Sequence, residues 1–165
     1  MEFDVSLTER DIYHFSMYHA YLGGMQGVSS IVIAVLIFTI ATITAGTTQF
    51  LYTILYFVFS IVFLVYIPVT LKLRAKQQMK SSGILSRPLH YKVDDEGIKV
   101  IQDEASAQLG WEQIYKVAAT KRNLLIYSNR VHAYIIPRNQ IEDNYDEFQR
   151  LARKKLAAYR VRMKG

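Results

Sequence analysis

Few side chains in this sequence have the spacing that catalysis or metal binding needs. The three carboxylates at 94–96 could ligate a metal ion, but Gly97 follows them directly, a pattern typical of a solvated turn between strands. Asp103 and Glu104 are likewise either metal ligands or part of a solvated turn. The sequence contains no Gly-rich phosphate loop, no nucleophile elbow and no HExxH motif. We therefore expect a protein without catalytic residues and without a bound cofactor or metal.

The histidines support the same expectation. His14 and His19 are five residues apart, so a helix would not place both on one face. His90 and His132 fall in different predicted strands, where they either meet as a metal-binding or pH-sensitive pair or are ordinary strand residues. The chain has no Cys, which excludes disulfides and thiolate chemistry within it.

Basic residues are the more informative chemical feature. Residues 1–26 have a net charge of −3, whereas residues 72–165 carry 19 Lys or Arg and 10 Asp or Glu, a net charge of +9. Such a segment can bind anionic lipid, an acidic protein or nucleic acid, but no DNA-reading motif supports nucleic acid. One basic cluster directly follows an apolar run, and it either fixes membrane topology or also binds anionic headgroups: Lys72, Arg74, Lys76 and Lys80.

A second basic cluster lies between Arg150 and Lys164. It is either a solvated helix face or a contact for the membrane or an acidic partner, and its candidate contact residues are Arg153, Lys154, Arg160 and Arg162. Trp111, the one Trp of the chain, is either a core residue or a ligand contact.

Between Asp11 and Lys72 the sequence has no Asp, Glu, Lys or Arg. This interval contains two apolar runs, 27–45 and 50–71, which are separated by four residues. A bilayer core about 30 Å thick requires about 20 apolar helical residues, so the runs predict a transmembrane hairpin. A buried hairpin in a soluble protein is the alternative, but such helices usually carry a polar stripe.

The flanking charges predict an orientation. The loop between the runs is uncharged, whereas the second run is followed by the first basic cluster, so both termini should lie on the cytoplasmic side of the cell membrane. The acidic N-terminus does not resemble a signal peptide. Small residues in the runs could pack against copies of the chain, through Ser29 and Ser30 or through Ala41 and Ala45.

The remaining sequence predicts four segments. Residues 1–26 form a strand and an amphipathic helix that begins at Thr8 and lies at the membrane interface; the hairpin covers 27–71, a basic connector 72–87, and a cytosolic domain 88–165. Short alternating segments from Pro88 to Pro137 predict an antiparallel sheet or small barrel, and apolar spacing over 144–163 predicts a C-terminal helix. Whether residues 1–7 join the domain stays open.

Four stretches together resemble the YcxB-like family of small bacterial membrane proteins: Tyr91–Val100, Trp111–Val117, Leu124–Tyr127 and Ala133–Arg138. The resemblance implies two spans followed by a compact domain similar to a bacterial pleckstrin-homology-type barrel, closed by a C-terminal helix. The fold expected is thus an α+β membrane protein. The family pattern consists of structural residues and contains no catalytic signature.

These observations leave two functions open. The first is a non-enzymatic membrane scaffold or recruitment module in the bacterial inner membrane, which binds anionic lipid headgroups and a protein partner or copies of itself. The second is a resistance or immunity protein against a membrane-active peptide or bacteriocin. A channel is a weaker third reading, because the two runs offer only Ser and Thr to line a pore.

Overall fold

The computed structural model describes residues 1–83 and 85–163. Ile84, in the predicted connector, and Lys164 and Gly165, at the end of the predicted domain, lie outside the described residues. The chain divides into two compact units, one formed by residues 1–14 and 78–165 and the other by residues 15–77. Residues 1–14, which the sequence-based division placed in a separate N-terminal segment, therefore belong to the same unit as the strands that follow the apolar helices.

The described residues form eight strands and four α-helices, with three helices between β1 and β2 and one between β7 and β8. The helices are α1 (Glu9–Tyr18), α2 (Gln26–Thr44), α3 (Phe50–Ser81) and α4 (Glu142–Lys155). The strands are β1 (Glu2–Val5), β2 (Leu89–Val93), β3 (Gly97–Gln102), β4 (Ala105–Gly110), β5 (Lys116–Ala119), β6 (Asn123–Tyr127), β7 (Ala133–Pro137) and β8 (Val161–Arg162).

The strands form two four-stranded sheets, in the orders β1-β2-β3-β4 and β7-β6-β5-β8. Strand β1 pairs antiparallel with β2, with Val5 opposite Leu89. Residues 1–7 thus do contribute a strand to the domain, and the two apolar helices are an insertion between two neighbouring strands. The α+β class is confirmed.

The closed barrel predicted from the sequence is wrong for the part of the chain that the structure describes. A 3₁₀ turn at Trp111–Gln113 separates β4 from β5, and the two sheets remain separate ladders. The second sheet is also mixed, because β8 pairs parallel with β5. Side chains of both sheets and of α4 still share one core, which includes Val5, Tyr91, Leu124, Ile136 and Phe148.

Local sequence explains why the unit folds this way. All five residues of β6 are buried, which accounts for the unbroken apolar run there, since a strand covered on both faces does not alternate. Thr8 and Asp11 exchange side-chain to backbone hydrogen bonds at the start of α1, which confirms the predicted capping box. In α4, Glu142 and Asp143 lie in the first turn and Arg153, Lys154 and Lys155 in the last, as the helix dipole favours.

The predicted C-terminal helix over 144–163 is wrong in its second half. Helix α4 ends at Lys155, and Leu156 has an extended backbone. The chain then makes a 3₁₀ turn at Ala158–Arg160 and enters β8. This path buries both Leu156 and Met163 in the core, which a continued helix of the predicted register would not require.

In the second unit, α2 and α3 pack through a stripe of small residues. The buried residues of α2 are Gly27, Ser30, Ala34 and Ala41. Ser60 of α3 donates a hydrogen bond to the Ala34 carbonyl at 2.9 Å, and Ser30 donates one to the Phe63 carbonyl. Ser30 and Ala41, predicted as contacts between copies, are therefore buried within the hairpin, whereas Ser29 and Ala45 are exposed.

Both apolar helices are long enough and apolar enough to cross a membrane. Their buried stripe is narrow, and most large apolar side chains on them are exposed, from Val28 to Ile43 in α2 and from Phe50 to Val69 in α3. Phe38 and Phe57 meet edge to face at 5.4 Å between ring centroids. These helices are not the buried core of the unit that contains them.

Candidate interaction surface

The histidines that the sequence offered as a pair have separate partners. His90 Nδ1 lies 2.7 Å from Asp4 Oδ1 across β1 and β2. His132 lies in the loop before β7, where its backbone N–H donates to Asn129 Oδ1 at 2.7 Å. Among residues 1–83 and 85–163 there is no group of three or more His, Asp or Glu side chains that could hold a metal ion.

Exposed charged side chains form a ladder across β1 and β2. Lys92 Nζ lies 3.1 Å from Glu2 Oε1, and this hydrogen bond and charge hold the pKa of Glu2 below its usual value. His90 Nε2 is 3.8 Å from the other Glu2 oxygen. Because these groups are exposed, they contribute little to stability and serve to keep the outer edge of the sheet polar.

The carboxylates at 94–96 form the predicted turn between β2 and β3. Asp94 Oδ1 accepts hydrogen bonds from the backbone N–H groups of Glu96 and Gly97, at 2.9 and 3.1 Å. Asp95 forms an ion pair of 2.7 Å with Lys155, whose hydrogen bond lowers the pKa of Asp95. The turn thus fastens the first sheet to the end of α4 rather than presenting a free cluster of carboxylates.

Trp111 is a core residue, as one of its two interpretations predicted. Its side chain is buried, its ring centroid lies 6.3 Å from that of Phe148, and its Nε1–H donates to the Asp94 carbonyl at 3.0 Å. The indole therefore joins the turn, the 3₁₀ segment and α4. With an exposed fraction of 5%, it offers little surface to a ligand.

The first basic cluster lies on the last turns of α3, where every member is exposed: Lys72, Arg74, Lys76 and Lys80. Residues four apart lie on one helix face, so Lys72, Lys76 and Lys80 form a row and Arg74 points to another side. None of them forms an ion pair within the described part of the chain. Their charge is therefore available to solvent or to lipid.

The second basic cluster does not form a single helix face. Arg153 and Lys154 are exposed at the end of α4, and Arg153 donates to the Met163 carbonyl at 3.2 Å. Arg160 lies in the 3₁₀ turn and donates to the Ile114 carbonyl at 3.4 Å, whereas Arg162 is exposed on β8. Lys164, predicted as the end of this cluster, lies outside the described residues.

Sequence analysis missed two cations in the turn between β5 and β6. Lys121 and Arg122 are exposed there, and Thr120 Oγ1 accepts from the backbone N–H of Asn123 at 2.9 Å. Asn123 Nδ2 in turn donates to the Asp11 carbonyl at 3.2 Å. The Thr-Lys-Arg-Asn sequence signals a turn, but only the tertiary fold shows that this turn binds the start of α1.

His14 lies beside the same turn and has an unusual environment. Its Nε2 is buried without a hydrogen-bond partner among the described residues. Burial lowers the pKa of His14, and the positive charges of Arg122 and Arg10 lower it further. The imidazole is thus held neutral where the start of α1 meets the second sheet.

Comparison with known proteins agrees with the resemblance seen in the sequence. Residues 93–152 match the family model described as YcxB-like protein. The match extends from the end of β2 into α4 and thus covers β3 to β7, while the two apolar helices lie upstream of it. No curated protein and no solved structure matches the chain. Residues 93–152 of this chain are therefore a YcxB-like segment, preceded in the same chain by two helices of membrane-spanning length.

Proposed function

We propose that this protein is a non-enzymatic membrane-anchored module that presents a pleckstrin-homology-like domain on the cytoplasmic face of the cell membrane and recruits a protein there. The observation that carries the proposal is the pairing of β1 with β2 around the inserted hairpin. An insertion of this kind attaches a folded domain to its anchor through two covalent connections.

The exposed surface of α2 and α3 supports a membrane location. Side chains such as Phe50 and Ile43 are 80% and 73% exposed. In water each large apolar side chain left uncovered forgoes about 1.5 to 3 kcal/mol of burial free energy, whereas lipid would cover all of them. The uncharged Gly46–Gln49 connection fits an external turn.

The order of the elements supports the pleckstrin-homology-like assignment. One antiparallel sheet of four consecutive strands is followed by β5, β6 and β7 in a second sheet and then by α4, which packs on the shared core. A small domain of two sheets and one helix offers several loops and edges for binding.

The row of Lys72, Lys76 and Lys80 supports contact with anionic lipid headgroups. Cations near the membrane surface gain about 1 kcal/mol each from anionic lipid. The same residues favour the cytoplasmic side through the positive-inside rule. Lys121 and Arg122 add positive charge at the turn that contacts α1, while the first turn of α1 carries Arg10 together with Glu9 and Asp11.

Two measurements on the full-length chain test this proposal. The chain should remain in the membrane fraction after alkaline carbonate extraction, and the chain purified in mild detergent should retain a protein partner in fixed stoichiometry. Release by carbonate would contradict membrane anchoring. Protection of expressing cells from a membrane-active peptide, without any retained partner, would favour the immunity role instead.

A further inference from the structure

Exposed apolar side chains in the compact unit are concentrated at one place. Of its described residues, 1–14, 78–83 and 85–163, only three large apolar side chains are exposed: Tyr115 at 44%, Val131 at 60% and Tyr159 at 74%. We name these three residues the distal patch. Single exposed apolar residues need no explanation, but the grouping of all three does.

Strand pairing places these residues side by side. The Tyr115 backbone N–H donates to the Tyr127 carbonyl at 2.8 Å, and Val131 lies in the loop that Tyr127 enters. On the other side of β5, Val117 pairs with Val161 in parallel. Arg160, which directly precedes β8, donates a 3.4 Å hydrogen bond to the carbonyl of Ile114, so the turn that contains Tyr159 lies next to the segment that contains Tyr115.

The distal patch lies at the end of the second sheet opposite to the end that contacts α1. At one end of β6, Asn123 binds the Asp11 carbonyl, close to where the chain leaves the unit. Tyr127 is at the other end, about 13 Å away at about 3.3 Å per strand residue. The patch therefore lies at the opposite end of β6 from the strand end that contacts α1.

Three cations surround the distal patch. The Arg160 guanidinium lies 5.7 Å from the Tyr159 ring centroid, and Lys116 Nζ lies 4.3 Å from that of Tyr127. Arg130 is exposed at the loop tip beside Val131. None of the three forms an ion pair within the described residues. Glu112 is the nearby exposed carboxylate, so the net charge around the patch is positive.

We infer that the distal patch binds an acidic protein segment that carries an apolar anchor residue. Tyr and Arg are the side chains that most often dominate binding energy at interfaces, because they bury a large area and still make polar contacts. The three cations have no ion-pair partner among the described residues, so carboxylates on the partner would complement them. This inference deepens the recruitment role proposed above and rests on it.

The test uses the full-length chain in nanodiscs of neutral lipid. The probes are three kinds of twelve-residue peptide. The first is rich in Asp and Glu and contains one Phe or Leu. The second has Gly in place of that Phe or Leu, and the third keeps the Phe or Leu but has Lys in place of Asp and Glu. Only the acidic apolar peptides should bind saturably. Tyr159→Ala, at a site 74% exposed, and Arg130→Glu should each weaken binding about tenfold. Lys99→Glu makes the same charge change on the outer face of β3 and should leave binding unchanged.

Several outcomes would overturn the inference without affecting membrane anchoring, which carbonate extraction measures separately. If the acidic apolar peptides do not bind, the inference is wrong. Equal binding to the wild type and Tyr159→Ala would place the site elsewhere. Self-association of the chain that Tyr159→Ala abolishes would make a second copy the occupant, and Tyr159-dependent binding to anionic nanodiscs would make lipid the occupant.

Discussion

Protonation of His14 is expected to weaken the packing of α1 against the second sheet. Its pKa is lowered by burial and by Arg122 and Arg10, so as the pH falls the unfolded chain takes up a proton at about 6.5 before the folded chain does. Stability from neutral His14 is present above that pH and is lost below it. We expect the melting temperature of the full chain in detergent to fall between about pH 7.5 and about pH 5.5.

Substitution of His14 isolates this effect from other titrations. His14→Phe should flatten the decline, because Phe keeps an aromatic ring and carries no proton. His132→Phe, in an exposed loop, is the matched control and should leave the decline in place. The carboxylates of Glu2 and Asp95 have lowered pKa values and would act only at more acidic pH. An unchanged slope in His14→Phe would show that His14 is not the responsible group.

At the scale of elements, β1 determines whether the domain needs residues from both sides of the inserted hairpin to fold. Phe3 is 8% exposed and stacks on Tyr91, with ring centroids 5.5 Å apart. Phe3→Ala should reduce the free energy of unfolding by about 3 kcal/mol, since it removes a core side chain from an edge strand. Denaturant titration followed by Trp111 fluorescence measures this change.

The control for Phe3→Ala lies on the same strand. Asp4 is exposed and pairs only with His90, so Asp4→Ala should cost less than about 1 kcal/mol. A similar small cost for Phe3→Ala would mean that β1 is dispensable. In that case the domain would fold from residues 78–165 alone, and the hairpin would be a simple N-terminal anchor.

The small residues of α2 determine how closely the two apolar helices approach. Ala34 is 2% exposed and accepts a hydrogen bond from Ser60. Ala34→Leu should push the helices apart, because lipid offers no compensating burial and close backbone approach needs small side chains. The chain lacks Cys, so the double substitution Phe38→Cys and Phe57→Cys reports helix proximity by thiol cross-linking without background.

Cross-linking yield is expected to drop when Ala34→Leu is added to that background. Val35→Leu, at a position 56% exposed on the same helix, should leave the yield unchanged. Equal yields for the two variants would indicate that the small-residue stripe does not set the spacing between α2 and α3.

These elements also show what sequence patterns can and cannot predict. Local sequence signals are strong for α2, α3 and β2. Hydropathy over the length of one membrane span identifies the two helices, and a five-residue run between turn residues identifies the strand. Strand β8 escaped prediction because its partner β5 lies more than forty residues earlier, and Leu156 and Tyr159 happen to continue the spacing of α4. Tyr159 and Leu156 both fit the apolar spacing of a helix in the sequence, yet Tyr159 is exposed and Leu156 is buried.

Of the two candidate surfaces, the sequence predicts the first basic cluster but not the distal patch. Lys72, Arg74, Lys76 and Lys80 follow an apolar run, so their position next to a helix end is a local property. The distal patch depends on three segments that strand pairing brings together, and no periodicity links Tyr115, Val131 and Tyr159. Only the register of β5 with β8 and of β6 with β7 groups them.

At the scale of the whole molecule, strand pairing constrains membrane topology. Val5 and Leu89 are paired neighbours in one sheet, so both must lie on the same side of any membrane that the chain crosses between them. An odd number of crossings is therefore incompatible with this fold. If α2 crosses, α3 must return, and the basic residues on the last turns of α3 predict, by the positive-inside rule, that both connections lie on the cytoplasmic side.

Accessibility of single introduced cysteines tests this topology in intact cells. A membrane-impermeant maleimide should label Thr47→Cys, in the turn between α2 and α3, before the cells are permeabilised. It should label Lys99→Cys, exposed on β3, only afterwards, because that strand lies in the domain that pairs residue 5 with residue 89. Labelling of both sites in intact cells, or of Lys99→Cys alone, would contradict a cytoplasmic domain. Labelling of neither before permeabilisation would contradict a crossing by α2, because a hairpin that only dips into the inner leaflet would leave Thr47 inaccessible from outside.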